Sequence, residues 1–177
     1  MNALTLDTFA ALMDAARIKP RLKRDLRFVT STEHMSEKDW AETELLAVTD
    51  KSGNKGVVII ELDDKTHVLP CEFKRGITSS STGRAQPVIC DFCSTWQDGS
   101  RAGSVAFTHV RNSATNVAYL CCADLACSQH VRTKTSASKI SRAQLRENMD
   151  NEKRVERLKA KLTRILTSLE AKPVTSA

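Results

Sequence analysis

The sequence predicts an α+β fold: an antiparallel β-sheet with N-terminal helices, a long C-terminal helix and a small cysteine-bearing module embedded between them. Three observations predict it. Between residues 42 and 73, runs of Val, Ile and Leu alternate with short turns containing Gly, Asn and Asp. Apolar residues recur at helical spacing near both ends of the chain. Five of the six cysteines fall between residues 90 and 127, on either side of a strand–turn–strand pattern.

Size and charge narrow the function classes. A chain of 177 residues supports one substantial core with an appendage rather than two large domains. The balance of 27 basic against 21 acidic residues leaves a net charge of +6, which favours nucleic acid or an acidic protein face as partner. No stretch approaches the roughly 20 apolar residues that a membrane span needs. The start, MNALTLDTFAALMDAAR, carries acids and lacks the basic-then-apolar layout of a secretory signal. The expectation is a cytoplasmic protein without a membrane partner. In that reducing compartment, clustered thiols point to metal or catalysis rather than to disulfides.

At the N-terminus, Thr5 is a cap for a helix whose Phe9, Leu12, Met13 and Ala16 share one face, and Pro20 ends that helix or starts another. RIKPRLKRDLR, residues 17–27, holds six basic residues and one acid. It reads as a solvated helix surface, or as a strip that binds a polyanion. The segment ETELLAVTDKSGNKGVVIIEL reads as two strands around a Gly-containing turn, and DDKT introduces a third strand, HVLPCEF. Pro70 places that third strand at an edge or near its end, because proline donates no ladder hydrogen bond. Cys71 reads as a small core residue. KRGITSSSTGRAQP, residues 74–87, marks a boundary between modules.

Next comes VICDFCSTWQDGSRAG, in which Cys90 and Cys93 form a C-x-x-C pair. Two intervening residues let both sulfurs face one centre. SVAFTHV and VAYLC then read as a hairpin leading to CCADLACSQHVR, where Ala and Leu open a helix and an acid suits its N-terminus. A cysteine turn, a hairpin and cysteines at the start of a helix form the layout of a treble-clef zinc finger. Cys122 at the strand exit and Cys127 in the first helical turn complete a set of four thiolates with Cys90 and Cys93. Cys121 points to the other side of its strand and packs in the core. Two alternatives compete: His130 in place of Cys127 as a ligand, and a redox-active CDFC pair, which should lead straight into a helix rather than into the turn-like STWQDGSRAG.

The C-terminal segment reads as one amphipathic helix of roughly 30 residues. Ser141 and Gln144 make a capping box, and Leu145, Met149, Leu158, Leu162, Ile165 and Leu169 form an apolar stripe. Nine Lys or Arg against five Asp or Glu between residues 141 and 172 give the segment a local excess of four positive charges. The stripe is expected to dock on the sheet or on the N-terminal helix. The organisation that follows is an N-terminal helical segment (1–40), a β meander (41–83), the zinc finger (84–138) and the C-terminal helix (139–172), with 41–172 as one unit. His34, His67 and His109 have no ligand-like spacing, and Trp40 is a packing residue. Trp96 beside the cysteine turn, with Arg132 and Lys134 after the last cysteine, are the candidate partner contacts.

CDFC followed by YLCCADLACSQHVR resembles the C-terminal treble-clef domain of the elongation factor G-binding proteins, the FusB-type fusidic acid resistance family. The similarity is strongest from Val88 to Lys134 and extends back to about Glu42. It implies one structural zinc ion on Cys90, Cys93, Cys122 and Cys127. It also implies an adaptor that binds elongation factor G and helps it leave the ribosome when fusidic acid has locked it there. The resistance proteins carry a helical bundle ahead of this domain, whereas about 40 residues precede the first strand here. No P-loop, G-x-S-x-G elbow or H-E-x-x-H motif occurs, so no enzyme is expected. The competing expectation is an RNA- or ribosome-binding zinc protein acting through its basic helices.

Overall fold

The structure, a computed structural model, describes residues 1–79, 81–108, 115–135 and 148–174. In chain order its elements are α1 (Leu6–Ala15), α2 (Pro20–Asp25), α3 (Phe28–Thr32), α4 (Glu37–Ala41), β1 (Leu45–Thr49), β2 (Lys55–Leu62), β3 (Lys65–Arg75), β4 (Val88–Ile89), β5 (Trp96–Gln97), β6 (Ala102–Thr108), β7 (Asn116–Cys122), α5 (Cys127–Val131) and α6 (Asn151–Ser168).

Turn chemistry sets the register of the first three strands. In the β1–β2 turn the Asp50 carboxylate accepts from the Ser52 hydroxyl and from the amides of Asn54 and Lys55, and Gly53 takes a φ of +70°. The β2–β3 turn is Asp63–Asp64, both at positive φ, which is the two-residue form whose twist matches an antiparallel pair. β3 then pairs with β6, giving a five-stranded sheet in the order β1-β2-β3-β6-β7. This pairing joins the β meander and the cysteine module in one sheet. β6 pairs with β3 only over Cys71–Arg75, so Pro70 lies beyond that ladder, where its missing amide leaves no hydrogen bond unmade; further along the same edge the Thr66 carbonyl accepts the Val174 amide at 2.7 Å.

β2 is buried on both faces, and the sheet therefore has two cores. On one side Val57 and Ile59 pack with Leu46 and Val48 against Phe9, Met13, Phe28 and Trp40 of the N-terminal helices. Phe9 and Phe28 stack there with ring centroids 4.3 Å apart. On the other side Val58, Ile60 and Leu62 pack with Leu69, Val105 and Phe107 against Leu158, Leu162, Ile165, Leu166 and Leu169 of α6. Each such side chain contributes about 1.5–3 kcal/mol by leaving water. The thiols of Cys71 and Cys121 lie in this second core, where burial pushes both well above the usual thiol range.

The expected C-terminal helix starting at Ser141 is corrected in part. Residues 148–150 are not helical, and α6 begins at Asn151 with Asp150 as its N-cap, accepting from the Lys153 amide at 2.8 Å. The apolar spacing through Met149 runs across this cap, but an aspartate that satisfies an orphan amide and faces the helix dipole outweighs the pattern. Ser141, Gln144, Leu145 and His109 lie outside the described residues. No helix among the described residues is long and apolar enough to cross a membrane.

Candidate metal centre

Three elements deliver the cysteines to one point beneath the second face of the sheet. The first two sit in the turn between β4 and β5. There Ser94 donates its amide to the Cys90 carbonyl at 2.9 Å, Cys90 donates to the Thr95 carbonyl at 3.0 Å, and Ser94 takes a φ of +60° to close the loop. The Cys93 amide points at the Cys90 sulfur, 3.5 Å away. Phe92, between the two cysteines, is buried and meets Tyr119 of β7 at 6.0 Å. Asp91 ties the turn to β7 in both directions, donating its amide to the Leu120 carbonyl and accepting the Leu120 amide on Oδ2 at 2.7 Å.

Cys122 is the last residue of β7 and Cys127 the first of α5. The turn between them uses Leu125 at a φ of +51°, while the Asp124 carboxylate accepts from the Ala126 amide at 3.1 Å. The four sulfurs of Cys90, Cys93, Cys122 and Cys127 lie within 4.8 Å of one another, and all four residues are at most 1% exposed. Cys90 and Cys127 are separated by 3.7 Å between sulfurs, and Cys93 and Cys122 by 3.5 Å. A tetrahedron with zinc–sulfur bonds of about 2.3 Å has edges near 3.8 Å, so the spacing fits a zinc ion.

Charge gives a second test of fit. Burial opposes ionisation of Cys93, but hydrogen bonds from Cys122, Cys127, Cys90 and His130 outweigh it and hold this thiol well below its usual range. Hydrogen bonds with the neighbouring sulfurs, together with burial, hold Cys127 well above. Four thiolates at these separations repel one another, and a dication between them removes that repulsion.

His130 and Asp124 surround the sulfurs. The His130 side chain is fully buried, with Nδ1 3.2 Å from the Cys122 sulfur and 3.9 Å from that of Cys93. Its Nε2 faces Asp124 Oδ2 at 3.4 Å. Burial disfavours charge on this imidazole, yet the hydrogen bond and charge of Asp124, reinforced by the Cys93 sulfur, raise its pKa to about 9. The Thr95 hydroxyl contacts the Cys93 sulfur, and Lys161 of α6 donates to the Ser94 hydroxyl at 2.6 Å. Spacing offers His130 as a substitute for Cys127; the structure brings both side chains to the cluster. Asp124, Thr95 and Lys161 were not anticipated. Asp124 follows Cys122 by two residues, the one local signal that could have marked it.

The candidate partner contacts are placed differently from one another. Trp96, half-buried in β5, pairs with Ile89 of β4 beside the cysteine turn. Arg132 makes a bidentate pair with Glu44, at 3.0 and 2.5 Å, and donates to the Ser128 carbonyl at 2.8 Å. Lys134 pairs with Glu42 and lies 3.6 Å from Asp39. Both cations thus clamp the end of α5 to the chain entering β1. That clamp is completed by the Ser128 hydroxyl, which accepts the Glu44 amide at 2.9 Å.

A cysteine turn, a β-hairpin and a helix that close on four sulfurs define a treble-clef zinc-binding protein. A family model described as FBP C-terminal treble-clef zinc-finger matches residues 21–169, and the chain belongs to this family, the FusB-type zinc-finger proteins. Comparisons with curated proteins and with solved structures give no match. The family and the four buried cysteines together establish a structural zinc ion.

Proposed function

We propose that the protein is a non-enzymatic zinc adaptor that binds translation elongation factor G in the cytoplasm, with Cys90, Cys93, Cys122 and Cys127 as the zinc ligands. The observation that carries this reading is the enclosed cluster of four sulfurs in a chain of the FusB-type family. Four sulfur donors fill the tetrahedral positions of zinc and leave none for an activated water, which supports a structural ion over a catalytic one. Release of the factor from the ribosome, and with it protection against fusidic acid, is the activity that family resemblance implies for such an adaptor.

The surface beside the cysteine turn supports a contact there. Ile89 is 57% exposed and Leu120 40% exposed, and Trp96 lies across from Ile89 in the β4–β5 pair. Aromatic and aliphatic side chains of this kind anchor protein interfaces. Arg132 and Lys134 already have acidic partners within the chain, so we assign them to holding the zinc module in place.

The test is gel filtration of the purified protein with elongation factor G at micromolar concentration. A complex is expected for the wild type and its loss for Cys122→Ser. No complex with the wild type overturns the adaptor reading. A Cys122→Ser variant that keeps both zinc and the complex overturns the ligand assignment.

A further inference from the structure

A pocket with a volume of about 460 Å³ lies where the start of α3, the β1–β2 turn and the end of β3 meet. Three cations from three elements line it: Arg27 ahead of α3, Lys51 in the turn and Arg75 at the end of β3. Backbone contacts fix this convergence. The Arg27 amide donates to the Thr49 carbonyl at 2.9 Å, and Leu26 forms an antiparallel bridge with Asp50. The Arg75 guanidinium rests on Gly53, where a Cβ would sit 2.6 Å from Nη1. Glycine there both makes the turn and leaves room for the guanidinium.

These cations are unspent. Lys23, Arg101, Arg132 and Lys134 each pair with an acid, whereas among the described residues no ion pair engages Arg27, Lys51 or Arg75. Asp50, the one carboxylate among the described lining residues, is occupied by the amides and hydroxyl of its own turn. The hydroxyl of Thr30 adds a further donor at the rim.

We propose that this pocket binds the phosphates of a nucleic-acid backbone. Guanidinium forks match phosphate oxygens, and hydroxyls complete such contacts. Among the described residues no aromatic or aliphatic side chain lines the pocket, so none of them stacks on a base or anchors an apolar protein segment there. Arg27 is also the last residue of RIKPRLKRDLR, whose Arg17, Lys19, Arg21 and Arg24 are exposed. An extended polyanion therefore meets further positive charge beyond the pocket.

The test is fluorescence anisotropy of a labelled oligouridine RNA with the zinc-loaded full chain, titrated over a range of salt. The double variant Arg27→Ala/Arg75→Ala is expected to bind at least about ten-fold more weakly, with a salt slope shallower by roughly 1.4, near 0.7 for each lost phosphate contact on a single strand. Lys159→Ala/Arg164→Ala, at exposed positions on α6, removes the same charge and is expected to change affinity much less. Zinc content and thermal melting check that each variant is folded. Equal losses in the two double variants, or no binding by the wild type, overturn the proposal. So does displacement of the RNA by polyglutamate as effective as by unlabelled RNA, which assigns the pocket to an acidic protein. Displacement by inorganic phosphate at matched ionic strength overturns it in favour of the free anion. None of these outcomes bears on elongation factor G binding, which gel filtration decides separately.

Discussion

At the scale of single residues, His130 does work that ligand spacing alone does not describe. Its ring spans the distance between the Cys122 sulfur and the Asp124 carboxylate, and we propose that it orients and electrostatically supports a metal ligand from the outer shell. His130→Ala should retain zinc but release it to a competing chelator with an affinity about 10–100-fold weaker. Its cobalt-substituted form should keep the absorption spectrum of four thiolates; loss of that spectrum would show that the histidine is itself a ligand. The four cysteines were legible in the sequence because they fall in two close pairs, Cys90 with Cys93 and Cys122 with Cys127, on either side of a hairpin. The histidine's place was not, since it depends on α5 turning the ring of a residue three positions after Cys127 back toward Cys122. A second residue-scale prediction concerns Asp50. Burial raises its pKa, but hydrogen bonds from Ser52, Lys55, Asn54 and Gly53 outweigh this and lower it from 3.8. A depressed carboxylate pKa stabilises the fold at pH values above the unfolded pKa, and that contribution disappears as pH falls through the folded one. Asp50→Ala should therefore lower Tm at neutral pH, with the gap from wild type closing in strongly acidic solution.

At the scale of elements, the clamp between α5 and the entry to β1 holds the cysteine-bearing helix against the sheet. Arg132 is 17% exposed and its partner Glu44 only 7%. Removing the guanidinium leaves a nearly buried carboxylate without its cation, so Arg132→Ala should cost about 3–5 kcal/mol in urea unfolding. Arg132→Lys should recover only part of it, because an ammonium cannot reproduce the two-pronged geometry. Strands were readable where Val and Ile runs met turn residues, as in β1, β2 and the β6–β7 hairpin. Of the N-terminal helices, α1 was readable from its Thr5 cap and the face of Phe9 and Met13, and Pro20 marked the start of α2; α3 and α4 were not, since each buries a single residue, Phe28 or Trp40, too little apolar spacing to set a period. Asp150 shows the converse case, in which a capping residue cuts across a longer apolar pattern.

For the whole molecule, the sheet works as a partition between two cores. The continuous burial from Gly56 to Ile60 in β2 is the sequence trace of that arrangement, since a strand covered on both faces loses polar alternation. The β3–β6 pairing leaves no local trace, because it joins segments separated by the loop and the cysteine turn. The second core contains the four clustered cysteines alongside the leucines of α6, so a metal held there and the apolar packing would stabilise one unit. The most direct test of this account is thermal unfolding of the purified chain before and after chelation, with zinc quantified in both samples. One zinc per chain is expected, with chelation abolishing the cooperative transition or shifting it far downward. A chain isolated without metal, or one whose transition is the same with and without zinc, would contradict it.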